Sequence, residues 1–297
     1  MGDKRDLKGL KGYLQSWIIG QNDAITRIAQ ALASAECELN ERGPRPRGAF
    51  LLMGPSGVGK TETTKAFTEY LFGPDRLAMF YMNEMQSAAD VDDLVSGIKR
   101  ATSKHPEGST LLFDEIEKAH KAIVDVFLSL LDEGQVTDSS GERTSIRNYY
   151  VVLTSNIGAN RWGQMEQTLY SRMETFAFEQ ARKFLRPELF NRLTETIVYR
   201  PLSQETQIAI LDSVLFRKLA HIAEQLGQLE IDRKAVQAHL LRKCFTQSGG
   251  ARRLRQELDR QINAAVLPWA LDRRWPTRAK LCYNPVKDTL EVQPWVY

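Results

Sequence analysis

A run of five apolar residues followed directly by a glycine-rich loop constrains this chain more than any other feature. The run, residues 49–53, contains no polar side chain, which is typical of a strand buried on both faces of a parallel sheet. The loop, residues 54–61, reads GPSGVGKT and fits the pattern G-x-x-x-x-G-K-[S/T] in full. Its glycines let backbone N–H groups converge on phosphate oxygens, and a helix that begins at about Lys60 favours an anion at its amino end. The segment therefore predicts a site for nucleotide phosphates.

Further apolar runs alternate with helical patterns over the first two thirds of the chain. We expect strands at about residues 79–82, 110–113, 149–154 and 197–199, with helices between them. Residues 7–39 have a helical pattern that breaks at Gly20, and Asn22 can cap the second helix. This order predicts an α/β fold, in which a doubly wound parallel sheet carries helices on both faces.

The pattern changes near Pro201, where Ser203 can cap a long helix. After it we predict a strand at 229–231, helices at about 233–245 and 251–269, and a hairpin of residues 280–283 with 289–292. The last helix is expected to kink or end near Pro268. We therefore predict a large nucleotide-binding domain over residues 1–200 and a small, mainly helical lid domain over residues 201–297.

Composition excludes several classes of protein. The 297 residues are 42% apolar and 26% charged, as in ordinary globular domains, and the net charge of +3 gives no strong field for nucleic acid or anionic lipid. No apolar run reaches the eighteen residues that a membrane-spanning helix needs. Three scattered cysteines, Cys37, Cys244 and Cys282, suit a reducing compartment and lack the spacing of metal ligands. We expect a cytoplasmic protein without a membrane span.

Two carboxylates at the end of the third predicted strand are typical of a metal and water site. Residues 111–115 read LLFDE, the Walker B form, so Asp114 is expected to hold Mg²⁺ together with Thr61. Glu115 is expected to polarise the attacking water. An exposed acidic pair is the alternative, but strand-end carboxylates of open α/β sheets face the nucleotide. Asn156, at the end of the next strand, can hydrogen-bond the γ-phosphate or the water, so the expected cofactors are ATP and Mg²⁺.

Six ordered segments make the chain resemble a known family. They are IIGQ at 18–21, GPSGVGKT at 54–61, LLFDEIEKAH at 111–120, LTSNIG at 153–158, RPELFNRL at 186–193 and GGARRL at 249–254. Over about residues 14–295 the chain is similar to the Clp-type AAA+ ATPases, most of all to the second ATPase module of the bacterial disaggregase and its unfoldase relatives. The resemblance implies an ATP hydrolase that forms a ring of identical subunits, expected to be a hexamer, and acts on a protein client.

The resemblance also implies roles for individual residues. The expected cofactor-binding residues are Ile18, Ile19, Gln21, Pro55, Ser56, Gly57, Val58, Gly59, Lys60, Thr61 and Glu62. The expected catalytic residues are Glu115, Asn156 as sensor 1, Arg192 as an arginine finger and Arg252 as sensor 2. The finger acts on ATP in the neighbouring subunit, and sensor 2 contacts the γ-phosphate in its own subunit. Without the resemblance, Arg192 and Arg252 would be interpreted as surface salt-bridge residues.

One segment departs from the family. Clp unfoldases grip a threaded polypeptide with an aromatic pore-loop residue, but residues 84–108 are a shorter stretch with no Phe, Tyr or Trp. Leu94, Val95 and Ile98 instead suggest a helix face that packs on the core. The second pore-loop region, residues 135–147, is polar and loop-like as in the family. No Ile-Gly-Phe or Ile-Gly-Leu tripeptide occurs in residues 158–184, so a Clp protease partner is not expected.

Three functions agree with these patterns. The first is an ATPase that remodels or assembles a protein complex without full threading. The second is an unfoldase whose unusual pore is lined by Met85, Val91 or Leu94. The third is a nucleic-acid-dependent switch that uses the many arginines after residue 240, which we do not favour because charge runs on helices are usually solvated faces.

Overall fold

The computed structural model describes residues 6–39, 43–165, 168–244, 250–272, 275–276 and 278–294. The chain divides into two compact units, the first ending at Pro201 and the second beginning at Leu202. None of the helices in the described ranges combines the length and the apolar character needed to cross a membrane.

Helices and strands alternate in the first unit. Its helices are α1 (Leu10–Trp17), α2 (Asn22–Glu36), α3 (Lys60–Phe72), α4 (Asp90–Lys104), α5 (Lys121–Glu133), α6 (Ala159–Trp162), α7 (Tyr170–Phe184) and α8 (Pro187–Phe190). Its strands are β1 (Gly48–Met53), β2 (Leu77–Tyr81), β3 (Thr110–Asp114), β4 (Gln135–Thr137), β5 (Arg143–Ser145), β6 (Tyr150–Ser155) and β7 (Glu195–Val198).

Five strands of the described chain form one parallel sheet in the order β2-β3-β6-β1-β7. The register of β1 with β6 runs from Gly48 opposite Tyr150 to Met53 opposite Ser155. Every residue of these two strands is buried, which explains why β1 is an unbroken apolar run in the sequence. The predicted α/β fold with a parallel sheet is confirmed.

Side chains of the sheet alternate between two cores. Leu51 of β1 packs in one cluster with Phe127 of α5. On the opposite face, the rings of Phe50 and Phe67 lie 5.9 and 6.0 Å from the ring of Tyr150. Because successive strand residues point to opposite faces, helices cover the sheet on both sides, as predicted. The carboxyl ends of β1, β3 and β6 therefore meet at one edge of the sheet.

Two local expectations for the first unit are wrong. Asn22 does not cap α2 but is its first residue, and its side chain accepts a hydrogen bond of 3.3 Å from Gln15. Residues 135–147 are not simply a loop, because β4 and β5 pair as an antiparallel hairpin. Val136 and Ile146 are buried and fix this hairpin to the core.

The second unit is mainly helical. It consists of α9 (Gln204–Leu226), β8 (Leu229–Ile231), α10 (Arg233–Cys244), α11 (Ala251–Leu271), β9 (Ala279–Asn284) and β10 (Thr289–Pro294). The predicted hairpin is confirmed in β9 and β10, and β8 adds a parallel strand. Oγ of Ser203 accepts a hydrogen bond of 3.2 Å from the amide of Thr206, which confirms the predicted cap. The helix α11, expected to kink or end near Pro268, continues three residues beyond it to Leu271, and the carbonyl of Pro268 accepts a hydrogen bond of 3.2 Å from the amide of Asp272.

Candidate functional site

The glycine-rich loop after β1 has the backbone that its sequence predicts. Gly54, Gly57 and Gly59 have φ angles of 146°, 75° and 110°, a region that side chains disfavour. A Cβ atom on Gly54 would lie 2.7 Å from the carbonyl oxygen of Tyr199, so only glycine fits there. A Cβ atom on Gly59 would lie 3.2 Å from the Ile18 side chain, which shows that Ile18 packs against the loop.

The lysine of the loop is buried among backbone carbonyls. Lys60 is 7% exposed, and its Nζ donates to the carbonyl oxygens of Gly54 at 2.8 Å and Pro55 at 2.6 Å. The same Nζ donates to Oδ1 of Asn156 at 2.8 Å. Since Lys60 begins α3, its ammonium group lies beside the amino end of that helix, where an anion is favoured.

The other predicted loop residues lie on the same turn. Val58 is buried, Ser56 is exposed, and Pro55 and Thr61 are half-buried. Glu62 lies in the first turn of α3 and forms an ion pair of 3.2 Å with Lys65. The loop and the first turn of α3 therefore bring the whole predicted phosphate-binding set together.

Asp114 and Glu115 follow β3 beside the end of β6. The hydroxyl group of Thr154 links the two, because it accepts from the amide of Glu115 at 3.1 Å and donates to Oδ1 of Asp114. Within the described residues no group of three or more His, Cys, Asp or Glu could hold a metal alone. Mg²⁺ usually takes one or two carboxylates together with substrate phosphates, so the hydroxyl of Thr61 and the carboxylate of Asp114 fit that ion.

Glu115 has a backbone conformation that few side chains adopt. Its φ of 60° and ψ of 54° place it in the left-handed region. Such strain persists where the surrounding structure holds it and is common at functional sites. Nδ2 of Asn156 donates to Oε1 of Glu115 at 2.8 Å, so the carboxylate is also oriented by an amide that contacts Lys60.

Glu117 is part of the site, although the sequence analysis did not select it. Its Oε1 accepts a hydrogen bond of 3.0 Å from the backbone amide of Asn156. Its Oε2 is buried and has no hydrogen-bond partner among the described residues. The signal in the sequence is weak, because an acidic residue in the short turn Ile116–Lys118 would ordinarily face solvent.

The amino-terminal segment lies against the loop and the end of β7. Ile18 is 6% exposed, and Ile19 is half-buried. Gln21 is 1% exposed, and its amide both donates to the carbonyl and accepts from the N–H of Arg200, each at 2.9 Å. The Gln21 side chain is thus committed to backbone hydrogen bonds that position the segment.

Arg192 lies near the amino-terminal ends of the strands, at the edge of the sheet opposite the glycine-rich loop. It precedes Thr194, whose amide and hydroxyl pair with the carbonyl and amide of Ala49 near the start of β1. The phosphate loop begins after the other end of β1, roughly 16 Å away at about 3.3 Å per residue. Arg192 lines a cleft of about 430 Å³ that also contains Arg27 and Arg45. The structure therefore separates Arg192 from the other predicted residues of the first unit.

Arg252 belongs to the second unit. It lies in the first turn of α11 and is exposed. No side chain caps this helix, whose N-cap residue is Gly250.

Comparison with known proteins agrees with this geometry. Residues 45–196, about half of the chain, match the family model described as AAA domain (Cdc48 subfamily). The chain is 31% identical over 287 residues to the chloroplastic chaperone protein ClpD1 of Oryza sativa subsp. japonica, covering 89% of this chain and 30% of that protein. It is 30% identical over 311 residues to the chaperone protein ClpB of Aquifex aeolicus, covering 98% of this chain and 30% of that protein. For the chaperone protein ClpB of Meiothermus ruber, the identity is 33% over 284 residues, with 89% of this chain and 32% of that protein covered.

The chain spans less than a third of the length of these relatives. The family match covers the sheet up to the first residues of β7, the glycine-rich loop and the paired carboxylates, and the similarity to the relatives extends over most of the chain. The chain belongs to the AAA family and is a Clp-type AAA+ protein.

Proposed function

We propose that this chain hydrolyses ATP with Mg²⁺ and uses hydrolysis to remodel or assemble a protein complex. The observation that carries the proposal is the side chain of Asn156, which contacts Nζ of Lys60 and Oε1 of Glu115 at 2.8 Å each. One amide thereby joins the phosphate loop to the carboxylate that can polarise water.

Each group of the site has a defined task in this proposal. Lys60 and the loop amides bind the outer phosphates, and Thr61 and Asp114 hold Mg²⁺. Glu115 polarises the attacking water, and Asn156 orients both the carboxylate and the γ-phosphate. Ile18 and Ile19 cover the base, and Gln21 keeps that segment in place.

The edge on which Arg192 lies supports action on a second subunit. An arginine side chain cannot span the length of β1, so Arg192 cannot reach the phosphates bound to its own loop if the sheet stays intact. A neighbouring copy in a ring, which we propose to be a homo-hexamer, would bring its nucleotide to this edge. Such an arginine raises kcat roughly 10³–10⁵-fold in related systems.

We propose two domains, a nucleotide-binding domain over residues 1–200 and a lid over residues 201–297. In this scheme Arg252 serves as sensor 2 for the γ-phosphate of its own subunit. Its exposure at the start of α11 leaves the guanidinium group accessible to a ligand.

Full threading of a polypeptide is not part of the proposal. Leu94 and Ile98 of α4 are completely buried, so they form the predicted core-facing surface and Leu94 is not available to line a channel. Met85 and Val91 are half-buried against the same core. The aromatic-free segment therefore offers little with which to grip a chain. A tagged globular protein should stay folded when it is incubated with this protein and ATP, and its unfolding would favour the unfoldase alternative.

A nucleic-acid-dependent switch has less support. Several basic side chains of the second unit are paired with carboxylates, such as Lys218 with Asp259 at 3.1 Å and Lys243 with Asp288 at 2.6 Å. Such pairing lowers the positive electrostatic field that a nucleic-acid phosphate backbone would meet.

We propose the cytoplasm as the compartment, for the reasons given in the sequence analysis.

Mixed rings test the proposed site most sharply. Arg192→Ala leaves a complete loop and water site but no finger, whereas Glu115→Gln leaves the finger but no base. Each variant alone should have almost no ATP turnover. Mixing them should restore a measurable fraction, because an Arg192→Ala subunit can then receive the finger of a Glu115→Gln neighbour.

The mixture also distinguishes two failures. If neither the separate variants nor the mixture lose turnover, the proposed ATP site is wrong. If both lose turnover and mixing restores nothing, although an affinity tag on one variant pulls down the other in mixed rings, the finger does not act between subunits.

A further inference from the structure

Arg192 is held by two acceptors of its own subunit. Its Nη1 donates to the carbonyl oxygen of Glu188 at 2.7 Å, and its Nη2 donates to Oδ2 of Asp132 at 3.2 Å. Its Nε is buried and has no hydrogen-bond partner among the described residues. A guanidinium group carries five N–H donors in a fixed fork. With this pairing, Nη1 and Nη2 each retain one further N–H for an incoming anion.

Asp132 is fixed in turn by a second arginine. Its Oδ1 lies 3.5 Å from Nη2 of Arg45, so the two carboxylate oxygens face two different guanidinium groups. Arg45 and Arg192 both line the cleft of about 430 Å³ at this edge of the sheet, together with Arg27 and Arg47. The carboxylate of Asp132 is therefore held between two guanidinium groups that line this cleft.

The helix that carries Asp132 offers an internal comparison. Asp125, seven residues earlier on α5, forms an ion pair of 2.8 Å with Arg186. Arg186 and Arg192 flank the short helix α8, so α5 holds both of its ends. The two carboxylates are similarly exposed, 49% for Asp125 and 44% for Asp132. They differ in their partners, because Asp125 pairs with Arg186, whereas Asp132 pairs with both Arg192 and Arg45.

We propose that Asp132 is the positioning residue of the arginine finger, holding the guanidinium group of Arg192 ready for the nucleotide of a second copy of the chain. This inference rests on the proposed action of Arg192 between subunits. The finger must be oriented before the neighbour's phosphate arrives, because a small misplacement of a group that stabilises the transition state costs rate. A half-exposed ion pair is weak enough to let the guanidinium group adjust to a dianionic phosphate.

The test compares ATP turnover in assembled rings of four variants. Asp132→Ala should lower kcat roughly two- to fivefold with the KM for ATP unchanged, since it removes an orienting contact of modest strength. Asp132→Glu keeps a carboxylate and should recover part of the loss. Asp125→Ala removes a similarly exposed carboxylate of the same helix and should keep the original kcat. Arg192→Ala should be nearly inactive, and its kcat gives the value expected when the finger is absent.

The outcomes separate this inference from the proposed function. A fully active Arg192→Ala variant would show that Arg192 is not an arginine finger, and it would overturn the inference about Asp132 as well. A nearly inactive Arg192→Ala together with an unchanged kcat for Asp132→Ala would overturn only the role of Asp132. Equal losses in Asp125→Ala and Asp132→Ala would show that the ion pairs merely fix α8. A raised KM, or ring dissociation in light scattering, would assign Asp132 to binding or assembly instead.

Discussion

Nδ2 of Asn156 donates a hydrogen bond of 2.8 Å to Oε1 of Glu115. The other end of the same amide accepts from Lys60, and the backbone N–H of Asn156 donates to Glu117. Asn156 therefore fixes the orientation of the carboxylate relative to the phosphate loop, and Glu117 fixes Asn156. The parallel register of β1, β3 and β6 brings these residues to one edge of the sheet.

Replacement of Asn156 by alanine should reduce ATP turnover more than ATP binding. The variant loses the donor to Glu115 and the acceptor for Lys60, and removing one preorganised donor from a site of this kind costs roughly 10²–10³ in rate. Steady-state turnover and binding of a fluorescent nucleotide check the expectation. Asn148→Ala, at an exposed asparagine, should change neither quantity. Turnover unaffected by Asn156→Ala would contradict the role of this amide.

The left-handed backbone conformation of Glu115 should affect the free energy of unfolding of variants at this position. Asparagine tolerates this region better than glutamine, which pays roughly 1–2 kcal/mol for it. We therefore expect Glu115→Asn to have a free energy of unfolding up to about 1 kcal/mol above that of Glu115→Gln. Denaturant titration of the two amide variants measures the difference. A Glu115→Gln variant as stable as Glu115→Asn would mean that the backbone at this position is not strained.

Gln21→Ala should destabilise the protein. The change leaves the N–H and the carbonyl of Arg200 without the side chain that now pairs with both. A fully buried unsatisfied polar group costs about 1–3 kcal/mol, and these two groups are part-buried, so we expect a loss of about 2–4 kcal/mol in the free energy of unfolding for the two together. Gln15→Ala, which removes an exposed side-chain hydrogen bond, should cost less than about 0.5 kcal/mol. Equal stability of the two variants would show that the Gln21 contacts contribute little.

Tyr149 should make stability depend on alkaline pH. Burial raises the pKa of its phenol to about 12, with an opposing, smaller effect of the nearby Arg76 charge. An unfolded tyrosine ionises near pH 10, so the unfolded state loses its proton first. The contribution of Tyr149 is complete below about pH 10 and is lost as the pH rises towards 12.

Tyr149→Phe should therefore flatten the fall of unfolding free energy between pH 10 and 12. Tyr81→Phe is the control, because the side chain of Tyr81 is 46% exposed. Denaturant titrations at several pH values give the slopes. Identical slopes for the original protein and Tyr149→Phe would contradict the effect of burial on this phenol.

The local sequence pattern was sufficient to predict the phosphate loop and the strand-end carboxylates. The apolar run of β1, the glycines and Lys60 are adjacent in sequence, so their geometry follows from backbone rules. Asp114 was selected because it ends an apolar strand, and parallel strands place such ends together.

Other parts of the site depend on contacts between distant residues. Gln21 meets Arg200 across 179 positions, and Arg192 meets Asp132 across 60. Neither pair has a local signature, because each depends on the order of strands in the sheet. The sequence did not predict a role for Glu117 for the same reason. Its contact with the amide of Asn156 forms only because β6 lies beside β3 in the folded sheet.

Magnesium-dependent ATP turnover of the original protein, Glu115→Gln and Lys60→Ala is the most direct test of the central claim. We predict that Glu115→Gln binds ATP but loses roughly 10²–10⁴ of the turnover rate, because the group that polarises water is gone. Lys60→Ala should lose nucleotide binding, since its ammonium group reaches the outer phosphates. Turnover unchanged in both variants would contradict the assignment of this site.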